Sequence, residues 1–154
     1  LNMSSNMLKE VQLFVGQFDH IKYLNLSCNH LDSLPAEVGL MITMREINIA
    51  NNRFTIFPKC IYELIHLEII LACDNKIEQV DASETDGLGA LKRLATLDLS
   101  NNNLKSVPPI LGNMTQLTQL LLHGNSFRAP RHQILESGTA SILSYLRDRI
   151  PKEF

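Results

Sequence analysis

Histidine and cysteine are the side chains here best suited to catalysis or metal binding, and their spacing supports neither role. No two of the five histidines lie three to five residues apart, a separation at which two side chains of one segment commonly share a metal ion. Cys28, Cys60 and Cys73 contain no C-x-x-C pair. The sequence contains no G-x-S-x-G motif and no phosphate-loop motif. It contains no G-x-G-x-x-G motif either, because Gly87-Leu88-Gly89 lacks a third glycine. We therefore predict no catalytic residue, no metal, no cofactor and no small-molecule substrate.

Asparagine recurs at a nearly fixed interval and is the residue most easily mistaken for an active-site group. The intervals are 23, 23, 23, 27 and 23 residues, and they separate Asn6, Asn29, Asn52, Asn75, Asn102 and Asn125. A side-chain amide both donates and accepts hydrogen bonds, so it can satisfy backbone groups at a buried corner of the chain. We therefore predict a structural role for these asparagines, with amides that point inward and bond to the backbone of adjacent turns.

The asparagines lie inside a repeated pattern of apolar residues that is clearest between Leu94 and Pro108. The pattern reads L-x-x-L-x-L-x-x-N-x-L-x-x-V-P. Its second and third leucines face the same side of a short strand, because side chains alternate between the two faces. One unit leaves its apolar side uncovered and must stack on copies of itself. The asparagine spacing gives six copies, of which the first is truncated at its start.

This pattern resembles the leucine-rich repeat family over nearly the whole chain. The proline after the corners, as in Leu34-Pro35 and Val107-Pro108, resembles the 23-residue class found in intracellular Ras-suppressor-like proteins. The resemblance implies an α/β solenoid: a right-handed horseshoe with a parallel concave sheet, short convex helical turns and a C-terminal helical cap. It also implies a generic binding role rather than a catalytic mechanism.

The segments that return the chain on the convex side carry apolar residues at three-residue spacing, which predicts one or two turns of helix in each. Val15 and Phe18 are expected to complete the apolar back of the first unit. The fourth return, residues 81–93, is four residues longer and has an acidic opening. We predict a bulging convex loop there, and we prefer a tolerated surface loop over the alternative of a docking site.

The repeat period ends after Phe127. We assign residues 1–128 to the repeats and residues 129–154 to a C-terminal helical cap. Ile134-Leu135 is expected to begin a short helical turn, and Thr139 to cap a helix over residues 140–148. That helix has an apolar stripe formed by Ile142, Leu143, Leu146 and Ile150. The stripe is predicted to cover the last core layer, with a partner-binding helix as the alternative.

The strand positions between the core residues predict the binding surface, because they face outward on the concave sheet. The first predicted column comprises Tyr23, Glu46, Ile69, Thr96 and Gln119, and the second comprises Asn25, Asn48, Leu71, Asp98 and Leu121. Arg45 and Cys73 complete the set of predicted contact residues. Ile69, Leu71 and Cys73 form an apolar spot with a polar rim, which is typical of a protein contact. Single apolar side chains on a surface are also ordinary.

Composition and charge narrow the class of partner. The net charge of −2 gives no general attraction to nucleic acid or to an anionic membrane. No apolar run approaches the roughly 20 residues of a membrane span. The three cysteines lie inside repeats, and Cys28 is too far from Cys73 for a disulfide. Unpaired thiols suit a reducing compartment, so we expect a cytoplasmic or nuclear protein that binds neither nucleic acid nor membrane.

The sequence thus predicts a non-enzymatic scaffold that binds a protein or peptide partner on its concave face. The alternative is a regulatory or substrate-recognition domain of a larger enzyme whose catalytic part lies upstream. An extracellular receptor fragment is disfavoured, because extracellular members of the family resemble one another in having cysteine-rich caps.

Overall fold

A computed structural model describes residues 1–12 and 20–152, and these residues include five short strands joined in one parallel sheet. The strands are β1 Tyr23–Asn25, β2 Glu46–Asn48, β3 Ile69–Leu71, β4 Thr96–Asp98 and β5 Gln119–Leu121. Each strand pairs with the next one along the chain, in the order β1-β2-β3-β4-β5. This arrangement confirms the predicted parallel solenoid. Val15 and Phe18 lie outside the described residues.

The register of the sheet places the same position of the repeat side by side in every strand. Tyr23 lies opposite Glu46, and Asn25 lies opposite Asn48, so the two predicted columns are the two outer positions of each strand. The middle position is apolar and buried in all five strands, at Leu24, Ile47, Ile70, Leu97 and Leu120. The alternation of faces therefore separates a continuous core from an open concave surface.

Short 3-10 helices return the chain on the convex side, as the spacing of the apolar residues predicts. In the described part of the chain they are η1 Ala36–Leu40, η2 Lys59–Glu63, η3 Leu88–Ala90 and η4 Pro109–Asn113. Pro35, Pro58 and Pro108 stand directly before η1, η2 and η4. Proline is favourable there because its fixed φ suits the entry to a helix and its missing N–H is not required for a helical bond.

The corner after each strand requires a left-handed backbone residue immediately before the repeated asparagine. The residues at this position have φ between 53° and 72°, and they are Ser5, Cys28, Asn51, Asp74, Asn101 and Gly124. Glycine, asparagine and aspartate tolerate this conformation best. Cys28 therefore occupies a corner at some conformational cost.

The fourth return is a compact turn rather than an open loop. The Leu88 N–H donates to the Asp81 carbonyl at 2.8 Å, and the Ser83 N–H donates to Asp81 Oδ1 at 2.9 Å. A Cβ at Gly87 would collide with the Asp81 backbone, and one at Gly89 would lie 2.7 Å from the Ser83 carbonyl oxygen. The two glycines therefore let the extra residues, called the insertion (residues 81–87) below, fold tightly against the start of η3.

Two helices follow the last strand in the described residues, α1 His132–Glu136 and α2 Thr139–Arg147. Ile142, Leu143 and Leu146 of α2 are buried, and the helix packs on η4 and β5. Gly112 of η4 allows this packing, because a Cβ there would collide with the backbone of Arg147. The apolar stripe thus covers the end of the core.

The predicted capping role of Thr139 is wrong. Gly138, with φ of 98°, precedes the helix, and Thr139 is its first residue. The Thr139 hydroxyl instead accepts a hydrogen bond from the Leu120 N–H at 3.0 Å. This N–H belongs to the last strand of the sheet and points away from β4, so a side chain from the following helix satisfies it.

Candidate functional site

The repeated asparagines form an internal ladder between successive repeats. In Asn52, Oδ1 accepts from the Leu31 N–H at 3.0 Å, and Nδ2 donates to the carbonyls of Leu26 at 2.9 Å and Ile49 at 3.0 Å. Equivalent bonds to the backbone are made by Asn29, Asn75, Asn102 and Asn125. Both ends of each amide are thereby engaged with backbone groups, so these side chains hold the stack together and do not face a ligand.

A second set of polar side chains caps the strands on the concave surface. Asn25 Oδ1 accepts from the Ser27 N–H at 3.0 Å, and Asn48 Oδ1 accepts from the Ala50 N–H at 3.0 Å. Asp98 Oδ1 accepts from both the N–H and the hydroxyl of Ser100, at 3.0 and 2.6 Å. Each bond spans two residues, as in an Asx turn. Sequence reasoning missed this local structural role, although the recurrence of Asn or Asp three residues before the left-handed corner residue signals it.

Leucine replaces the capping residue in two repeats, at Leu71 of β3 and Leu121 of β5. A leucine side chain has no acceptor, so these strands forgo the bond that Asn25, Asn48 and Asp98 make. Leu71 stands beside Ile69 and Cys73, and all three are half-buried on the concave surface. This set, called the β3 patch below, places an apolar surface between the polar residues Asn48 on β2 and Asp98 on β4.

Cys73 contributes an uncharged thiol to the β3 patch. Burial raises the pKa of Cys73 to about 12, and the nearby carboxylates of Asp98 and Asp74 add to the rise by disfavouring the thiolate. Burial likewise raises the pKa of Cys60 to about 11. A thiol that stays protonated is a poor nucleophile and a poor metal ligand. In residues 1–12 and 20–152, no group of three or more histidine, cysteine or acidic side chains could hold a metal ion.

The remaining predicted contact residues lie around the β3 patch and towards the first strand. Tyr23 is 57% exposed. Together with Asn25, Glu46 and Asn48, it lines a shallow pocket of about 280 Å³. Further along the concave sheet, Thr96, Gln119 and Leu121 lie in register on β4 and β5, and Arg45 directly precedes β2. The register therefore brings the predicted residues onto one continuous surface.

A larger pocket, of about 670 Å³, lies on the convex side between η2 and the insertion. Its lining includes Ile56 and Ile65, which are 71% and 53% exposed. The sequence contains one sign of this pocket, because both isoleucines fall outside the apolar positions of the repeat. The preference for a tolerated surface loop at residues 81–93 stays a prediction.

Comparison with known proteins supports the repeat assignment. The family model described as Leucine Rich Repeat matches residues 20–41 and 93–114. The chain is 31% identical over 113 residues to the PH domain leucine-rich repeat-containing protein phosphatase 1 of Homo sapiens, covering 70% of this chain and 6% of that protein. It is 30% identical over 143 residues to the Ras guanine nucleotide exchange factor V of Dictyostelium discoideum, covering 77% and 7%. It thus spans a small part of the length of these two relatives.

Solved structures show the same fold. An internalin C2 of Listeria monocytogenes superposes with a TM-score of 0.71 at 20% identity, over 84% of this chain and 54% of that chain. The leucine-rich repeat ectodomain of the Arabidopsis receptor kinase HAESA, solved with a peptide hormone ligand, superposes with a TM-score of 0.69 at 28% identity, over 82% and 22%. The chain contains leucine-rich repeats and has their solenoid fold. Such folds serve in general as protein–protein interaction scaffolds. None of the helices within the described residues has the length and apolarity needed to cross a membrane.

Proposed function

We propose that this leucine-rich repeat solenoid is a non-enzymatic interaction module that binds a protein or peptide partner on its concave face. The observation that carries the proposal is the β3 patch, where Leu71 stands in a column whose members on β1, β2 and β4 cap their own strands. Because leucine gives up that stabilising bond and exposes apolar surface, local folding does not explain its presence. A contact that removes the patch from water does.

The surroundings of the patch suit a protein contact. Polar side chains of the neighbouring strands, among them Glu46, Asn48 and Thr96, surround the apolar spot. An apolar centre with a polar rim is the usual anatomy of an interface. The stacked repeats hold this surface in place before binding, which lowers the ordering cost of association. The net charge of −2 favours a protein or peptide over nucleic acid or an anionic membrane.

One structural neighbour supports a peptide-sized ligand within this class. The HAESA ectodomain, which is 28% identical to this chain, was solved with a peptide hormone bound. That ligand is a property of HAESA, and its value here is to show that a solenoid of this fold can hold a peptide.

Charge insertion at the β3 patch tests the proposal. Ile69→Asp and Leu71→Asp place a carboxylate where a dry contact would form, which is costly in a complex and inexpensive in water. We expect proximity labelling, performed with the chain in its natural full-length protein, to lose a specific set of labelled proteins. The melting temperature of each variant should stay close to that of the wild type, because both side chains point away from the core.

Glu84→Lys, on the insertion, is the control and should leave the labelled set unchanged. The proposal fails if the strand variants label the same proteins as the wild type. Equal loss of labelling and of melting temperature would also contradict it, since the two side chains would then be part of the core.

A second candidate is a regulatory or substrate-recognition domain of a larger enzyme. The observation that favours it is the nature of the relatives, a phosphatase and an exchange factor of which this chain spans 6% and 7%. The sequence of the full-length protein discriminates between the two, because an enzyme would carry a catalytic domain beside the repeats.

We also propose a relationship and a location that follow from the sequence. The closing segment, residues 124–151, is similar to the closing segment of leucine-rich repeat-containing protein 40, so the chain is proposed to be the C-terminal part of that protein or of a near relative. Cys28, Cys60 and Cys73 are free thiols, which supports the cytoplasm or nucleus. The full-length sequence tests the relationship, and imaging of a tagged full-length protein tests the location.

A further inference from the structure

The convex pocket is a groove with an apolar floor, and its shape follows from one departure from the repeat. The residue at one position of the 3-10 helices is glycine in η1, η3 and η4, namely Gly39, Gly89 and Gly112, whereas η2 has Tyr62. The Tyr62 ring stacks on Phe57 with centroids 5.0 Å apart. These rings line the groove together with the exposed side chains of Ile56 and Ile65.

The insertion forms the opposite wall of the groove and is tied to the floor. The Asp81 N–H donates to the Tyr62 hydroxyl at 2.9 Å, which links the start of the insertion to η2. Thr85 and Asp86 then line the groove across from Lys59 and Glu63. Whereas η1 packs directly on η2, the groove separates η2 from the insertion. Because the insertion is closed by its own hydrogen bonds, the groove exists before any ligand arrives.

The rim of the groove is acidic. Glu63, Asp81 and Asp86 line it, and Lys59 is the basic residue among its lining side chains. Between pairs of residues in the described ranges, the structure contains one ion pair, His132 with Glu136, and this lies far along the chain on α1. The three carboxylates are therefore not neutralised by an ion pair with any other described residue. They give the groove a net negative field directly beside exposed isoleucine side chains.

A second pocket, of about 370 Å³, continues the surface on the other side of Ile56. It shares Ile56, Phe57, Lys59 and Glu63 with the groove, and it adds a further carboxylate, Asp32. The two volumes together suit an extended chain with more than one side chain rather than a single small molecule.

We propose that this groove binds a peptide segment of a partner protein in which an apolar side chain is flanked by lysine or arginine. The apolar side chain would cover Ile56 and Ile65, and the basic residues would lie against Glu63, Asp81 and Asp86. The acidic rim disfavours nucleic acid and acidic peptides by the same electrostatic argument. This second surface is on the opposite face from the β3 patch. Its test is therefore independent of the test of the proposed concave site.

Binding of designed peptides to the intact chain tests this inference. The probes are short fluorescein-labelled peptides in which leucine, isoleucine or phenylalanine is flanked by lysine and arginine. In one matched set glutamate replaces the basic residues, and in another serine replaces the apolar residue. We expect fluorescence anisotropy to show saturable binding of the basic apolar peptides alone, weakening as salt rises. Amide NMR shifts on binding should concentrate at Ile56, Ile65 and Asp86.

Matched variants distinguish binding in the groove from nonspecific binding through surface charge or exposed apolar side chains. Asp86→Asn should weaken binding roughly threefold, as expected for one exposed ionic contact. Its control is Glu84→Gln, an acid of the same insertion that does not line the groove. Ile65→Ser should weaken binding roughly tenfold or more through lost apolar contact. Its control is Ile42→Ser, at the same position one repeat earlier and 55% exposed.

The result that overturns the inference is equally specific. The proposed peptide site in the groove is wrong if no basic apolar peptide binds, or if the glutamate-containing peptides bind with equal affinity. It is also wrong if either control variant weakens binding as much as the variant it is matched to. A loss of peptide binding on Ile69→Asp would move the peptide site to the concave face. A dimer in sedimentation experiments that Ile56→Ser disrupts would make the groove a self-association surface and would also overturn it.

Discussion

The interior ladder and the concave column use nearly the same side chain for different purposes. Asn52 in the ladder lies in a buried corner and bonds to backbone groups of two successive repeats. Asn48 in the concave column bonds to the backbone two residues further on, at the edge of solvent. The first kind of asparagine joins repeats, and the second kind only shapes its own turn.

This difference shows where specific function is to be sought. Where a polar residue recurs in every repeat, as the corner asparagine does, the fold requires it. Where a repeat departs from its neighbours, as with Leu71 in the column or Tyr62 in the 3-10 helices, the fold alone gives no reason for the change. Both proposed binding surfaces lie at such departures, on opposite faces of the solenoid.

The largest predicted effect comes from breaking the ladder. We expect Asn52→Ala to lower the free energy of unfolding by about 3 kcal/mol, because several buried backbone groups lose their partner at once. Asn102→Ala, at a half-buried corner, should cost about 2 kcal/mol. Denaturant unfolding measures both. A loss below about 0.5 kcal/mol, the usual effect of a surface substitution, would show that the ladder does not join the repeats.

A smaller effect is predicted for the same substitution in the concave column. Asn48→Ala removes one local bond at a half-buried site and should cost about 1 kcal/mol. Chemical denaturation of the two alanine variants side by side tests the comparison. If Asn48→Ala cost as much as Asn52→Ala, the distinction between joining repeats and shaping a turn would be lost.

The ladder, the register and the concave columns could be predicted because they depend on the repeat period alone. Once Asn29 is aligned with Asn52, the facing of Leu24 and Ile47 follows from the alternation of a strand. The role of Thr139 could not be predicted in this way, because it depends on which N–H the final strand leaves open. The groove likewise requires knowing that the insertion folds back onto Tyr62, which no periodicity reveals.

The smallest predicted change in stability is a gain. Cys28 has a φ of 57° at a corner where Asn51 and Asn101 occupy the same conformation. Cys28→Asn should raise the free energy of unfolding by about 0.5 kcal/mol, because asparagine tolerates the left-handed region better. Thermal unfolding under reducing conditions measures it. A decrease in the melting temperature would indicate that the cysteine side chain stabilises its corner in some other way.

Leu71→Asn tests most directly the claim that departures from the repeat mark the binding surface, because it restores the polar residue type that the column has on β1, β2 and β4. The new amide can accept a hydrogen bond from the Cys73 N–H, as Asn48 does from Ala50, so the free energy of unfolding should stay within about 0.5 kcal/mol of the wild type or rise slightly. Partner capture through the concave face should nevertheless be lost, since the apolar centre of the β3 patch is gone. Measured together on one preparation, unchanged stability with lost binding is the result predicted here. Full binding by the Leu71→Asn variant would contradict the claim that departures from the repeat mark the binding surface.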